Sequence, residues 1–263
     1  MQDRVIFTDV TVDFPIYDVH ARSLKHKLVL DKVSSLVSRG VANVGGSVRH
    51  DLGSVVIVRA LDAVSCTLAD GDRVALLGHN GAGKTTMLRV AAGIYEPTGG
   101  EVSTRGRVMP LFNMMEGMAP DATGVELLEI RGALLGLSDQ EIKEHIVEIE
   151  AFCELGEYIN MPVRTYSTGM LVRLAFAITT AVDCDVLVMD EFIGGGDASF
   201  FDRAKIRLKR FVERASVLLV ATHSPGTARE WCNKAMLLQH GRLLEFGSVD
   251  AVLASYERIA HAG

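Results

Sequence analysis

A glycine-rich stretch at residues 78–86, Gly-His-Asn-Gly-Ala-Gly-Lys-Thr-Thr, constrains the fold of this 263-residue chain more than any other feature. It matches the pattern G-x-x-x-x-G-K-[ST] of a phosphate-binding P-loop. The apolar run 73–77 before it predicts a buried strand, and residues 86–92 after it predict a helix. A strand, a P-loop and a helix in this order predict an α/β fold. The alternative is a glycine turn followed by a chance Lys-Thr pair.

The residue types of this loop suit phosphate chemistry. Glycines allow the backbone to curl so that successive N–H groups converge on phosphate oxygens, and the helix that follows adds the positive end of its dipole. Lys84 supplies a mobile positive charge for the outer phosphates. The hydroxyl of Thr85 is a suitable ligand for Mg²⁺.

The composition limits the class of protein. Hydrophobic residues make up 48% of the chain and charged residues 23%, which is typical of a globular protein with a buried core. The net charge of −6 gives no chain-wide basic surface for nucleic acid, and we expect no nucleic-acid partner. No apolar stretch approaches the ~18–20 residues that span a bilayer. The cysteines form no C-x-x-C pair, so we expect buried thiols in a reducing compartment: Cys66, Cys153, Cys184 and Cys232.

Hydrophobic periodicity predicts the other elements. Apolar runs at 5–7 and 10–14, and again at 55–58 and 64–68, predict strands, and a Gly/Ser-rich stretch at 41–54 predicts a loop. A capping box at 138–141 predicts the start of a helix. Further predictions are buried parallel strands at 185–189 and 216–220, a hairpin turning at His240-Gly241, and a closing helix at 249–260.

Two acids follow the predicted strand at 185–189. Beside a P-loop, Asp190 is expected to hold Mg²⁺ through water, and Glu191 is expected to orient or deprotonate the attacking water. The alternative for this pair is a solvated acidic turn.

The stretch Tyr166-Ser167-Thr168-Gly169-Met170 precedes a predicted helix and lies just upstream of these acids. Ser167 and the N–H of Gly169 at a helix N-terminus can bind an anion, although an ordinary serine N-cap is the alternative. With the P-loop, this order of motifs resembles the ATPase subunits of ABC transporters. The resemblance implies a P-loop NTPase core with an antiparallel β subdomain and an α-helical subdomain. It also implies that ATP is bound with Mg²⁺ between the two subunits of a homodimer.

The same resemblance assigns further residues. It implies that ATP is contacted by Gly78, Asn80, Gly81, Gly83, Lys84, Thr85 and Thr86. His223 matches the switch histidine that contacts the γ-phosphate, and Asp197 matches the aspartate of the D-loop. Phe14, with Tyr17 as the alternative, matches the aromatic residue that stacks on adenine. Asn113 stands where the family usually carries a metal-binding glutamine.

Local features resemble the polysaccharide-exporting branch of this family, whose ATPases serve O-antigen, capsule, teichoic acid and galactan export. These features are residues 14–17 and 22–25, the variant signature 166–177, and the D-loop 195–200. The resemblance implies a transmembrane permease as partner and a peripheral position on the cytoplasmic face of the inner membrane. Five basic side chains between residues 20 and 40 suggest that this segment senses a lipid-linked glycan. A solvated helix is the alternative for that segment.

We therefore expect a single ABC ATPase domain over residues 1–263, with a helical sub-lobe at about 113–181 and a basic insert at about 20–54. Since the chain ends soon after its closing helix, we expect no appended glycan-binding domain. The competing hypotheses are an ATPase of another transporter branch, which exports drugs, lipids or small molecules, a soluble ABC ATPase that acts on nucleic acid or ribosomes, and a module that binds ATP without turnover.

Overall fold

A computed structural model of the chain describes residues 2–16, 47–50, 56–112, 114–115, 117–135, 137–190 and 198–262. Contacts divide the chain into two compact units. Unit one comprises Met1–Arg105 and Leu219–Gly263, and unit two comprises Gly106–Leu218. Most of the predicted basic insert lies outside the described residues. Among the described residues, no helix combines the length and the apolar character needed to cross a bilayer.

Among its described residues, unit one contains a four-stranded antiparallel sheet. Its strands are β1 (Asp3–Ile16), β2 (Ser47–His50), β3 (Val56–Ala69) and β5 (Gly99–Thr104), and their order across the sheet is β2-β3-β1-β5. The prediction of a loop at 41–54 is wrong for residues 47–50, because β2 is paired with β3. β1 and β3 each join two predicted strands into one. The register between β1 and β3 shifts between Phe7 and Val10, where Asp9 has a φ of 48°.

The second part of unit one surrounds the P-loop strand. Its elements are β4 (Arg73–Leu77), α1 (Lys84–Ala91), α6 (Pro225–Trp231), β9 (Lys234–Gln239), β10 (Arg242–Ser248), α7 (Val249–Ala262) and the last residues of β8 (Val217–Ala221). The strand order here is β10-β9-β4-β8, with β9 parallel to β4 and antiparallel to β10. Leu77, Leu237 and Leu253 belong to one buried cluster, so α7 covers β4 and β9. The predicted hairpin and closing helix are confirmed.

Unit two combines two parallel strands with helices. Its elements are β6 (Val108–Pro110), α2 (Gly124–Leu134), α3 (Asp139–Cys153), α4 (Thr168–Ala181), β7 (Val186–Asp190), α5 (Ala198–Arg214) and the first residues of β8. Capping boxes start α2 at Thr123 and α3 at Ser138, and the second of these confirms the sequence prediction. Between α3 and α4 lie two short 3₁₀ helices, Gly156–Asn160 and Val163–Thr165.

Arginines of α5 join this helix to α3 in unit two. Arg207 binds Glu148 at 2.7 Å and stacks its guanidinium 4.7 Å from the ring centroid of Phe152. The guanidinium of Arg203 makes a bidentate ion pair with the carboxylate of Glu154, with hydrogen bonds of 2.6 and 2.8 Å. These contacts line an open cleft of about 610 Å³. Because Arg203 and Arg207 are held by carboxylates and by the ring of Phe152, they stabilise the packing of α5 against α3.

Candidate nucleotide-binding site

The glycine loop leaves the end of β4 and enters α1 with a backbone that only glycine adopts easily. The φ angles are +148° at Gly78, +78° at Gly81 and +107° at Gly83. A Cβ on Gly83 would lie 2.7 Å from the carbonyl oxygen of Ala60, and one on Gly78 would collide with the carbonyl of Leu238. Side chains at these positions would therefore push the loop out of its curled shape.

Lys84 is the first residue of α1 and is only 8% exposed. Its Nζ donates hydrogen bonds to the carbonyl oxygens of Gly78, at 2.7 Å, and His79, at 3.1 Å. The ammonium is thus held inside the curl of the loop. α1 carries no acidic residue in its first turn, so no side chain there neutralises the positive end of the helix dipole. A buried cation, a helix N-terminus without an acidic residue in its first turn, and a glycine backbone fit a polyphosphate.

The hydroxyl groups predicted to meet Mg²⁺ or phosphate lie on the first turn of α1. Thr85 is exposed and Thr86 is half-buried, while Asn80 and Gly81 are exposed at the tip of the loop. The described loop therefore presents polar groups to a ligand, and its apolar residues lie inside unit one. Among the described residues, no cluster of three or more His, Cys, Asp or Glu side chains forms a metal site.

His79 is a feature of this loop that the sequence prediction missed. Its Nδ1 lies 2.8 Å from the carbonyl oxygen of Asn80, which accepts a hydrogen bond in the tautomer protonated at Nδ1. Nε2 is buried and has no hydrogen-bond partner among the described residues. The ring centroid of His79 lies 5.0 Å from that of His240, in the turn between β9 and β10. The loop thus contacts this turn through side chains.

Phe14, the predicted adenine-stacking residue, lies near the end of β1 and is 37% exposed. Its ring makes an edge contact with Tyr95, with centroids 5.5 Å apart at 71°. The Tyr95 hydroxyl accepts a hydrogen bond from Arg89 of α1 at 2.8 Å. Tyr95 was not predicted from the sequence, and its hydrogen bond connects the Phe14 ring to the helix that follows the P-loop. The adenine contact itself stays a prediction, and the alternative, Tyr17, lies outside the described residues.

The remaining predicted residues are distributed over both units. His223 is exposed just after β8, in unit one. In unit two, Asp190 is the half-buried last residue of β7, and Ser167 is the N-cap of α4. The hydroxyl of Ser167 accepts a hydrogen bond from the N–H of Met170 at 3.3 Å, and Gly169 is half-buried in the first turn. Asn113, Glu191 and Asp197 lie outside the described residues, so their roles stay predictions.

A glycine loop between a buried strand and a helix, with a buried lysine at the start of that helix, defines a P-loop nucleotide-binding protein. A family model described as ABC transporter matches residues 61–194. The chain belongs to this ABC transporter family, as an ATP-binding ATPase subunit. The resemblance inferred from the motifs is therefore confirmed.

Named relatives agree with this assignment, and a solved structure agrees with the fold. The O-antigen export system ATP-binding protein RfbE of Yersinia enterocolitica is 41% identical over 241 residues, which cover 92% of this chain and 96% of that protein. The O-antigen export system ATP-binding protein RfbB of Klebsiella pneumoniae is 32% identical over 98% of this chain and 99% of its own length. A dimeric post-hydrolysis structure of the ATP-binding cassette MJ0796, bound to ADP and Pi, has a TM-score of 0.63 at 19% identity. The aligned region includes 93% of this chain and 98% of the solved chain. This likeness confirms the predicted fold class.

Proposed function

We propose that this chain hydrolyses ATP to power the export of a lipid-linked polysaccharide across the cytoplasmic membrane through a separate transmembrane permease. The observation that carries this proposal is the similarity, over nearly the whole of both chains, to the ATP-binding protein of an O-antigen export system. We place the subunit peripherally, on the cytoplasmic face of that membrane.

For the chemistry we assign each residue the role that its motif and its surroundings support. ATP, when bound, supplies the phosphoanhydride whose cleavage drives transport. Lys84 exchanges its two carbonyl partners for phosphate oxygens, which carry full negative charge and attract the ammonium more strongly. Thr85, exposed in the first turn of α1, offers its hydroxyl to Mg²⁺. We assign Asp190 as the metal-binding acid and Glu191 as the base for water.

We further propose that two copies of the chain bind two ATP molecules between them. Each nucleotide would contact Lys84 of one copy and Ser167 of the other. Two observations support this arrangement: Ser167 caps a 14-residue helix, whose N-terminus favours an anion, and a structural neighbour is a dimer. His223 and Asp197 are assigned to the γ-phosphate and to the D-loop of this assembly.

Replacing Glu191 by glutamine tests the chemistry and the assembly together. The variant should bind MgATP but lose turnover, because the water loses its base while phosphate contacts remain. With MgATP it should elute as a dimer on size exclusion. Glu230→Gln, an exposed change on α6, is the matched control and should hydrolyse ATP normally. Near-normal hydrolysis by Glu191→Gln would refute the assignment of the base.

The transported substrate is tested in cells. Deleting the gene should abolish a surface polysaccharide, and the wild-type chain should restore it. For the proposed glycan-sensing segment, charge reversal at Lys25, Lys27 and Lys32 should impair surface glycan while leaving the isolated ATPase active. Normal glycan in the triple variant would remove the sensing role. Unchanged surface glycan in the deletion strain would favour another transporter branch.

A further inference from the structure

The turn between β9 and β10, formed by His240 and Gly241, lies directly against the P-loop within unit one. The N–H of Gly241 donates a hydrogen bond to the carbonyl oxygen of Ala82 at 3.0 Å. The carbonyl of Gly241 in turn accepts from the N–H of Asp62, in β3, at 2.9 Å. The backbone of a single glycine therefore bridges the P-loop and a neighbouring strand.

This bridge has a geometric consequence for the loop. The carbonyl of Ala82 and the N–H of Gly83 belong to one planar trans peptide unit, so they point in opposite directions. Because the carbonyl oxygen of Ala82 is hydrogen-bonded to the turn, the N–H of Gly83 points away from the turn. Gly83 directly precedes Lys84, so this N–H stands at the entrance of α1, among the groups that suit a phosphate.

Close packing enforces the same arrangement. A Cβ on Gly241, whose φ is +80°, would lie 2.7 Å from the carbonyl oxygen of Ala60. A Cβ on Gly83 would meet that same oxygen at 2.7 Å. Three backbone segments thus meet around Ala60 without room for a side chain. The His79 and His240 rings add a contact on the first half of the loop.

Ion pairs anchor the turn to the antiparallel sheet. Arg242, the residue after the turn, donates to the carboxylate of Asp62 at 2.7 Å, and Arg59 donates to its other oxygen at 3.1 Å. Arg59 also binds both oxygens of Asp13 at 2.8 Å. The side chains of Asp62 and Arg59 are only 16% and 19% exposed, so water weakens the pair between them less than it weakens surface pairs. The Arg242 side chain is 67% exposed, and it reaches Asp62 from the solvent side.

We propose that Gly241 is a positioning residue of the nucleotide site, and that the pair Asp62–Arg242 holds it in place. The turn keeps the peptide between Ala82 and Gly83 in the orientation that binds phosphate. None of these three residues needs to touch the nucleotide. This inference rests on the proposed function, since it concerns the binding of ATP.

Gly241→Ala tests the proposal, with Gly71→Ala as its matched control. Gly71 has a similar φ of +88°, but a Cβ there would meet nothing within 4 Å. The control therefore carries the same backbone strain without the collision. The dissociation constants of MgATP and MgADP are measured by titration of a fluorescent nucleotide analogue, well below the unfolding temperature. Gly241→Ala should raise both constants about tenfold, whereas Gly71→Ala should leave them within about twofold of the wild type.

A second comparison covers the case in which Gly241→Ala fails to fold. Arg242→Gln removes the charge that binds Asp62, and Arg242→Lys keeps it. The glutamine variant should weaken binding about threefold and the lysine variant should restore it. In the amide NMR spectrum, Arg242→Gln should also shift the Gly83 resonance of the nucleotide-free protein.

Any of three results would overturn the inference. Folded Gly241→Ala could bind nucleotide with the dissociation constants of the wild type, Gly71→Ala could weaken binding as much as Gly241→Ala does, or the two Arg242 variants could bind equally well. A wild-type chain that binds no MgATP would instead refute the proposed function, and the inference with it.

Discussion

Replacing Lys84 by methionine should raise the dissociation constant of MgATP about thirtyfold without unfolding the protein. Because Lys84 is only 8% exposed, most of the cost of removing its ammonium from water is already met in the free protein. Nucleotide binding then exchanges two hydrogen bonds to neutral carbonyls for bonds to charged phosphate oxygens. A hydrogen bond to a charged group contributes about 1.5–3 kcal/mol. A loss of about 2 kcal/mol corresponds to roughly thirtyfold.

Methionine keeps the length and packing of the lysine stem, so this variant separates charge from volume. Isothermal titration calorimetry with MgATP gives the dissociation constant, and circular dichroism verifies the fold. Lys143→Met, an exposed change on α3, is the control and should bind like the wild type. Binding by folded Lys84→Met within about threefold of the wild type would show that the ammonium does not reach the phosphates.

Three further predictions concern stability and reactivity. Arg207→Ala should lower the free energy of unfolding, measured in urea titrations, by about 2 kcal/mol, because it removes the ion pair with Glu148 and the contact with Phe152. Arg210→Ala, an exposed change on the same helix, is the control and should lower it by under about 0.5 kcal/mol. Hydrogen bonds from Arg242 and Arg59 lower the pKa of Asp62 below its ordinary 3.8. Ionised Asp62 therefore stabilises the folded state fully at pH values above 3.8, and this stabilisation is lost as the pH falls through the lowered pKa. Asp62→Asn should reduce this dependence of the free energy of unfolding on acid pH. Burial raises the pKa of each cysteine thiol to about 12. At neutral pH, Ellman's reagent should therefore react slowly with the thiols of the native protein and fully with those of the unfolded protein. Fast reaction of the native protein would contradict this burial.

The sequence by itself determined the elements whose signals are local. The P-loop needs only its glycines, its lysine and the strand and helix that flank it, all within about 20 residues. The capping box at Ser138 and the hairpin at His240-Gly241 likewise depend on residues a few positions apart. The family resemblance followed from the order of such motifs along the chain. Nothing local marked the strand Ser47–His50, because its pairing with β3 is what makes it a strand.

Only the tertiary structure decided how the site is supported. Gly83 is confined by the carbonyl of Ala60, and Gly78 by the carbonyl of Leu238, which is 160 positions away in the sequence. The bond from Gly241 to Ala82 and the contact of Tyr95 with Phe14 join segments that no periodicity relates. Packing places distant backbone atoms in contact, and a pattern of nearby side chains carries no information about which distant atoms these are.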